Sequence, residues 1–468
     1  MEVSMKEMTV AEVTGLLEVH HEYFDSQVTK NVAFRIDQLK KLKIGMLKYE
    51  QAMMDALKSD LGKHPVESYA TEIGFVYRSI TDTIRHIKKW AKPVRVKTPI
   101  FLMPSSSHTL YEPYGTVLIM GPYNYPLQLM LEPLVGVIAA GNCAVLKPSE
   151  IAPQVSRVVA EMINNTFDRN YISCVEGTVE TNTFLINAKF DYIFFTGSAG
   201  VGRIVKEAAA RNLVPSTLEL GGKSPVIVDE SANIKETARR IMWGKTLNAG
   251  QTCVAPDYVL VHDSVKDELI CEMKNCLQLY YGNDIKHNNS YGRIINESHF
   301  DRITTMMEKD KAGIVFGGKS DRSDKFIEPT LIEISSWSAA TMKEEIFGPV
   351  LPIISYEDID SAIQDIKKLP KPLALYLFTT KMNVERKVIS EISSGGVCIN
   401  DVISHVANSN LPFGGVGNSG MGAYHGKQSF ITFSHCKSIL KKPHNINNTL
   451  AYPSYTEKKM MIIKKFLK

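Results

Sequence analysis

The sequence predicts an α/β protein built from two mostly parallel sheets, and three observations carry that prediction. From about residue 93 onward, short apolar runs rich in β-branched residues alternate with helical stretches. Gly, Pro or Asn bounds each run, which marks where strands and helices change over. The composition, 44% hydrophobic and 22% charged over 468 residues, is that of an ordinary globular chain able to bury large cores.

The elements follow in order. Residues 31–62 read as a long amphipathic helix, with Leu39, Leu42, Met46, Met53 and Leu57 recurring at helical spacing. Packing is the only role that stripe implies. A strand at 115–120 leads to a helix at 127–140, a second strand at 144–146, a helix at 151–165 and a third strand near 172–175. A further strand at 192–195 precedes a helix starting around Val201. A second alternation has strands at 225–228, 258–261, 351–354, 373–378 and 397–399. The two units join near 213–224, and the glycine-rich stretch 414–422 with segment 426–440 reads as an appendage.

Composition excludes several classes of function. Fifty-four Lys and Arg stand against 50 Asp and Glu, spread along the chain, which argues against nucleic acid as partner. Seven cysteines, an odd number in a long chain, point to a reducing compartment. No Cys/His spacing suits zinc, so no metal is expected. Residues 1–17 carry three glutamates and no apolar core, unlike a signal peptide, and no run is long enough to span a membrane. A cytoplasmic protein is expected.

Three places hold residues suited to chemistry. Gly197, Ser198 and Gly202 lie in a loop between the 192–195 strand and the next helix, where N–H groups and the helix dipole favour phosphate. The loop does not match GxGxxG, and a plain turn with Ser198 as cap accounts for it equally. Cys253 sits among small and polar residues before a strand, unlike a cysteine used only as core, yet its sequence context identifies no activating cation. Glu219 lies between two leucines and ahead of two glycines. A carboxyl held in apolar surroundings there suits general-base work, although a solvent-facing strand position also fits. Asn124, in the loop opening a helix, is an amide donor or a turn residue.

Taken together and in order, these stretches resemble the aldehyde dehydrogenase superfamily from about residue 30 to 440. The matching blocks are Gly-Pro-Tyr-Asn-Tyr-Pro at 121–126, Lys-Pro-Ser-Glu at 147–150, Phe-Thr-Gly-Ser at 195–198 and Leu-Glu-Leu-Gly-Gly-Lys-Ser-Pro at 218–225. Gly-Gln-Thr-Cys at 250–253, Glu-Glu-Ile-Phe-Gly-Pro at 344–349 and Leu-Pro-Phe-Gly-Gly-Val at 411–416 complete them. The 121–126 block, the short segment before it and the lysine-rich C-terminus are most similar to the class-three, fatty- and aromatic-aldehyde branch. Tyr123 departs from the tryptophan of many relatives, which reshapes a pocket wall and keeps Asn124.

The resemblance implies a Rossmann-like cofactor domain at 1–218 and an α/β catalytic domain at 219–405. It also implies a rim and oligomerisation segment at 406–445 and a basic tail at 446–468, with an arm near 80–105. It assigns Cys253 as nucleophile, Asn124 with the Cys253 N–H as oxyanion hole, and Glu219 as the base that activates the hydrolytic water. Lys147 and Glu150 would bind the adenosine ribose, Gly197, Ser198 and Gly202 the pyrophosphate, and Glu345 and Phe347 the nicotinamide riboside. NAD is favoured over NADP, because Glu150 would repel a 2′-phosphate, with NADP as the alternative.

A small-molecule aldehyde and a second copy in a homodimer are the expected partners. The 458–468 segment, with five lysines around six apolar residues, is expected to pack on its own protein or on a partner subunit; an interfacial membrane helix is the alternative. Two other functions are weighed. A CoA-acylating dehydrogenase usually lacks the base at Glu219, and a non-catalytic structural homologue would be expected to lose Cys253 or Asn124.

Overall fold

The computed structural model describes residues 7–446, 450 and 452–467. Residues 1–6, which the expected first unit includes, and 447–449, 451 and Lys468, which the expected tail includes, lie outside the described residues.

Helix Val32–Leu61 forms where the apolar spacing predicts it. Asn31 caps its start by accepting from the Ala33 N–H, and Gly62, at φ 67°, ends it. The predicted stripe of Leu39, Leu42, Met46, Met53 and Leu57 is fully buried, and the helix lies along helix Pro153–Thr166. An unanticipated helix, Val10–Asp25, precedes it. Thr9 and Glu12 form its capping box, and Val13, Leu16 and Leu17 face the core.

The first sheet has six strands in the order Gly420–Met421, Ser216–Glu219, Tyr192–Thr196, Thr116–Met120, Cys143–Lys147 and Ile172–Cys174. All pairs are parallel except the first, which sets Gly420 opposite Glu219. Four of these strands, Thr116–Met120, Cys143–Lys147, Ile172–Cys174 and Tyr192–Thr196, are buried along their whole length, as parallel strands covered on both faces must be. From Thr116–Met120 the chain winds outward one way, then returns to wind the other way from Tyr192–Thr196. A crevice therefore opens beyond the carboxyl ends of these two strands, where open α/β sheets take their ligands.

The second sheet has seven strands, ordered Ile314–Phe316, Thr330–Glu333, Val350–Tyr356, Tyr258–His262, Pro225–Val228, Ala374–Phe378 and Gly396–Ile399. Only its first pair is antiparallel. The five predicted strands are present. The two at the Ile314 edge were not anticipated, because they are short and Ile314–Phe316 is only half-buried.

A third sheet projects as an arm. Ser106–Pro113 pairs antiparallel with Ser434–Lys441 across eight residues, and the exposed strand Val94–Val96 extends it. Residues before the arm point inward, since helix Gly74–Trp90 buries Ile80, Thr83 and Ile87. Helix Glu457–Leu467 closes the described chain with no buried residue.

Candidate active site

Cys253 stands at the end of a contorted loop. Asn248 and Ala249 both adopt left-handed conformations at φ 51°, and Gly250 follows at φ 75°. Three such residues in a row, two of them bearing a Cβ, hold the backbone in a sparsely allowed region that only dense packing sustains. Gln251 supplies much of that packing. Its Nε2 donates to the Asn248 and Arg293 carbonyls, and its Oε1 accepts from the Ile295 N–H. A Cβ on Gly250 would stand 2.2 Å from the Gly348 oxygen, so the Cys253 loop rests directly on the 344–349 block.

The Asn124 loop is tied to the same place. The Asn124 amide donates to the Gln251 carbonyl at 3.0 Å, and Tyr125 bonds Thr252 at 2.8 Å. The Asn124 carbonyl accepts from Asn248 at 2.7 Å and from the Lys63 ammonium at 3.1 Å. Lys63 is fully buried and pairs with Glu72 at 2.6 Å. The second Glu72 oxygen accepts from the N–H groups of Leu127 and Gln128, at the start of helix Gln128–Ala140. Asn124 is thus positioned from both its amide and its carbonyl side.

Glu219 ends its strand, inside the sheet and buried. Neither carboxyl oxygen has a hydrogen-bond partner among the described residues. Burial alone holds its pKa well above the usual carboxylate range. Cys253 is half-buried; burial, together with the nearby Glu345 and Glu219 carboxyls, pushes its thiol up to about 12. Burial therefore disfavours the ionised form of both groups.

The expected cofactor residues line the crevice of the first sheet. Ser198 caps helix Ala199–Arg211, accepting from the Val201 N–H. The Gly197 N–H donates to the Glu219 carbonyl at 3.0 Å, which locks this loop to the strand of the candidate base. A Cβ on Gly202 would come within 2.6 Å of Leu220, so glycine permits close contact between helix and chain there. Lys147 is buried and reaches Glu150 at 3.3 Å. Burial lowers its pKa, while Glu150 pulls the other way.

The 344–349 block arches over the far end. Burial and Asp257 raise the Glu345 carboxyl to about 8. A Cβ on Gly221 would fall onto that carboxyl, so glycine lets Glu345 lie against the backbone there. Phe347 takes φ 50° and meets the Tyr123 ring edge-on at 5.9 Å.

Several residues here had no signal in the sequence. Lys63, Glu72 and Gln251 belong to networks whose partners lie as far as 127 positions away. Lys63 immediately follows a helix read as packing alone. Lys245, eight residues before Cys253, is buried, and its ammonium has no hydrogen-bond partner among the described residues. Burial brings it down to about 8, with Asp257 the strongest opposing charge. A lysine in a helical stretch reads as solvated until the fold encloses it.

Two sheets thus meet around a half-buried thiol, a doubly anchored amide and a carboxyl with no hydrogen-bond partner among the described residues. The family model described as "Aldehyde dehydrogenase family" matches residues 3–439. The chain belongs to the aldehyde dehydrogenase family. It is 52% identical over 446 residues to 4,4'-diaponeurosporen-aldehyde dehydrogenase of Staphylococcus aureus, a match covering 95% of this chain and 97% of that one. It is 44% identical to the rat enzyme named aldehyde dehydrogenase, dimeric NADP-preferring, over 90% of this chain and 92% of that one. The solved structure of Staphylococcus aureus AldH in a substrate-bound state superposes with a TM-score of 0.96 at 51% identity, covering 97% of this chain and 99% of that one. The fold is the α/β fold of that family, as the motif blocks imply, and the enzyme is an oxidoreductase acting on aldehydes. Other members among its relatives are class-three proteins of Dictyostelium and Arabidopsis.

Proposed function

We propose that the enzyme oxidises a long-chain aliphatic or aromatic aldehyde to the carboxylic acid through a thioester on Cys253, which water then hydrolyses. The observation that carries this reading is Glu219: a buried carboxyl with no partner, close enough to Cys253 to affect its ionisation. A structural acid would be expected to find a donor; a general base must keep its oxygens available.

The cofactor is NAD or NADP. The start of helix Ala199–Arg211, just beyond strand Tyr192–Thr196, offers backbone N–H groups suited to the pyrophosphate of such a dinucleotide. Lys147 and Glu150 would hold the adenosine ribose, the N–H groups at Ser198 and Gly202 the pyrophosphate, and Glu345 with Phe347 the nicotinamide riboside. When bound, the cofactor accepts the hydride.

This chain's residues do the rest. The Cys253 thiol loses its proton to the medium and attacks the aldehyde carbon as thiolate. The new C–S bond pushes the carbonyl π electrons onto oxygen, which the Asn124 amide and the Cys253 N–H stabilise. After hydride loss the thioester remains, and sulfur is a good leaving group. Glu219 takes a proton from water as the water attacks, and the acid is released. The same base disfavours the CoA-acylating reading. We read the enzyme as a cytoplasmic homodimer joined through the arm, with NAD preferred because Glu150 would repel a 2′-phosphate.

Replacing Glu219 with Gln tests the mechanism. A burst of NADH followed by slow steady turnover is expected, while Cys253→Ala abolishes both and keeps cofactor binding measurable by fluorescence. Unchanged steady turnover in the Glu219 variant refutes the base.

A further inference from the structure

Helix Gln128–Ala140 is buried at every residue, yet its second turn carries a carboxyl, Glu132. One Glu132 oxygen accepts from the Ser79 hydroxyl at 2.8 Å, and the other has no hydrogen-bond partner among the described residues. Burial raises the group to about 7, opposed by the Ser79 hydroxyl, and no cation contributes. A half-satisfied carboxyl costs stability in a place that an apolar side chain could fill.

Tyr424 is its neighbour across the site. Helix Gln128–Ala140 packs so closely on helix Gly426–Thr432 that a Cβ on Gly136 would come within 2.6 Å of the Ser429 Cβ. Tyr424, two residues before that second helix, is fully buried, with its ring edge-on to Phe194 at 5.0 Å. The Gln128 amide is near its hydroxyl, which makes no full hydrogen bond to any described residue. Glu219, Glu132 and Cys253 all act on its ionisation, so the hydroxyl lies in the region the three share. The pairing of Gly420 with Glu219 holds the Tyr424 segment beside the strand of the candidate base. Two carboxyls with open oxygens thus flank one open hydroxyl.

The other titratable groups facing this helix from the elements packed on it are engaged or neutral. Glu72 pairs with Lys63 and accepts from the N–H groups at the helix start, and Arg35 donates to the Ala139 carbonyl at the far end. Burial raises the Cys143 thiol and the Tyr111 phenol and lowers His425 to about 3, so all three are uncharged near neutrality.

Each turnover leaves Glu219 holding a proton that it must lose before acting again, and it is only 2% exposed. We infer that Glu132 is the outlet for that proton, reached through Tyr424. The inference rests on Glu219 being the base. Glu219 gives its proton to the Tyr424 oxygen as the Tyr424 O–H gives its own to the open Glu132 oxygen, by hydrogen bond or bridging water. Each O–H bond broken is matched by one formed. Glu219 returns to carboxylate, Tyr424 stays neutral and Glu132 becomes the acid. Ser79 is 8% exposed against 2% for Glu132, so the way out leads past it to solvent. Glu132 acts through Glu219 and is a positioning residue.

Stopped-flow and steady-state assays of Glu132→Gln, Tyr424→Phe and the double variant test it. Glu132→Gln keeps the volume and the Ser79 contact while removing the proton acceptor. Each single variant should form the first equivalent of NADH at the wild-type rate, keep the aldehyde KM and lower kcat about ten-fold. Both lie on one path, so the double variant should fall no further. Glu132 accepts only as carboxylate, so wild-type kcat should rise through about pH 7. Glu132→Gln should lose that limb, and Glu132→Asp should regain part of it. An unchanged kcat and pH profile in Glu132→Gln overturn the inference. So does a first turnover slowed along with kcat, which would place the residue before deacylation or in the fold alone. Glu219→Gln separates the two readings. A slowed Glu219→Gln beside an unaffected Glu132→Gln removes the outlet and leaves the base, whereas unchanged turnover in Glu219→Gln removes the base and the outlet with it.

Discussion

Removing Lys63 should damage both the stability and the chemistry of the enzyme, by an amount the geometry allows to be worked out. Its ammonium, fully buried, bonds Glu72 at 2.6 Å and the Asn124 carbonyl at 3.1 Å, and lies 3.9 Å from the centre of the Tyr125 ring. Lys63→Met keeps the volume and removes the charge, stranding Glu72 with only two backbone donors. Breaking a buried pair from one side costs about 3–5 kcal/mol. Glu72→Gln strands the ammonium instead and should cost a similar amount. The double variant removes both charges, so its cost should fall short of the sum by about 1–3 kcal/mol, the usual coupling between partners. Denaturant titration followed by tryptophan fluorescence measures all three, with the m-value checking that the transition is unchanged. Turnover gives the second readout. Because Lys63 holds the backbone of Asn124, Lys63→Met should lower kcat more than it raises KM. Two single variants each costing under about 1 kcal/mol, adding without coupling, would refute the reasoning.

Three further outcomes are expected. Asn124→Ala should reduce kcat about 10²–10³-fold, the usual loss for one oxyanion donor, with the fold unchanged by circular dichroism. The pH dependence should climb: burial raises Cys253 to about 12 and Glu219 well above the ordinary range, and the proposed mechanism uses both in ionised form, so turnover should increase from pH 7 into the alkaline region. A profile that falls above neutrality would contradict these environments. Gly250→Ala should abolish activity and lower the thermal midpoint, because its φ is 75° and the added Cβ meets the Gly348 oxygen.

The parts of the fold legible in the sequence are those where a single stretch carries its own signal. Strands such as Thr116–Met120 and Pro225–Val228 are buried on both faces and must be apolar throughout, so they stand out as runs. Helix Val32–Leu61 declares itself through its stripe. Edge strands do not: Val94–Val96 is exposed throughout, and its pairing depends on residues 107–109. The site divides the same way. Cys253, Glu219 and Asn124 were found as members of ordered motif blocks, since their own neighbourhoods permitted bland readings. Lys63 and Glu72 belong to no such block. Their roles depend on two segments meeting at Asn124, a property of the tertiary structure alone. The loop at Gly197 escaped the common glycine fingerprint because here Ser198 caps the helix and Gly202 serves close packing against Leu220.

The pairing of Gly420 with Glu219 also sets an order of events during synthesis. The strand carrying Glu219 leaves the ribosome about 200 residues before the partner that covers its outer edge. At the usual elongation rates of about 5–20 residues per second, that edge stays open for tens of seconds. A bare strand edge next to an apolar core invites pairing with other nascent chains. The other five strands of the first sheet can assemble early, but the segment carrying Glu219 acquires its closing neighbour only about 200 residues later. Chains interrupted before residue 420 would therefore be sticky as well as inactive, and such truncations should appear in the insoluble fraction.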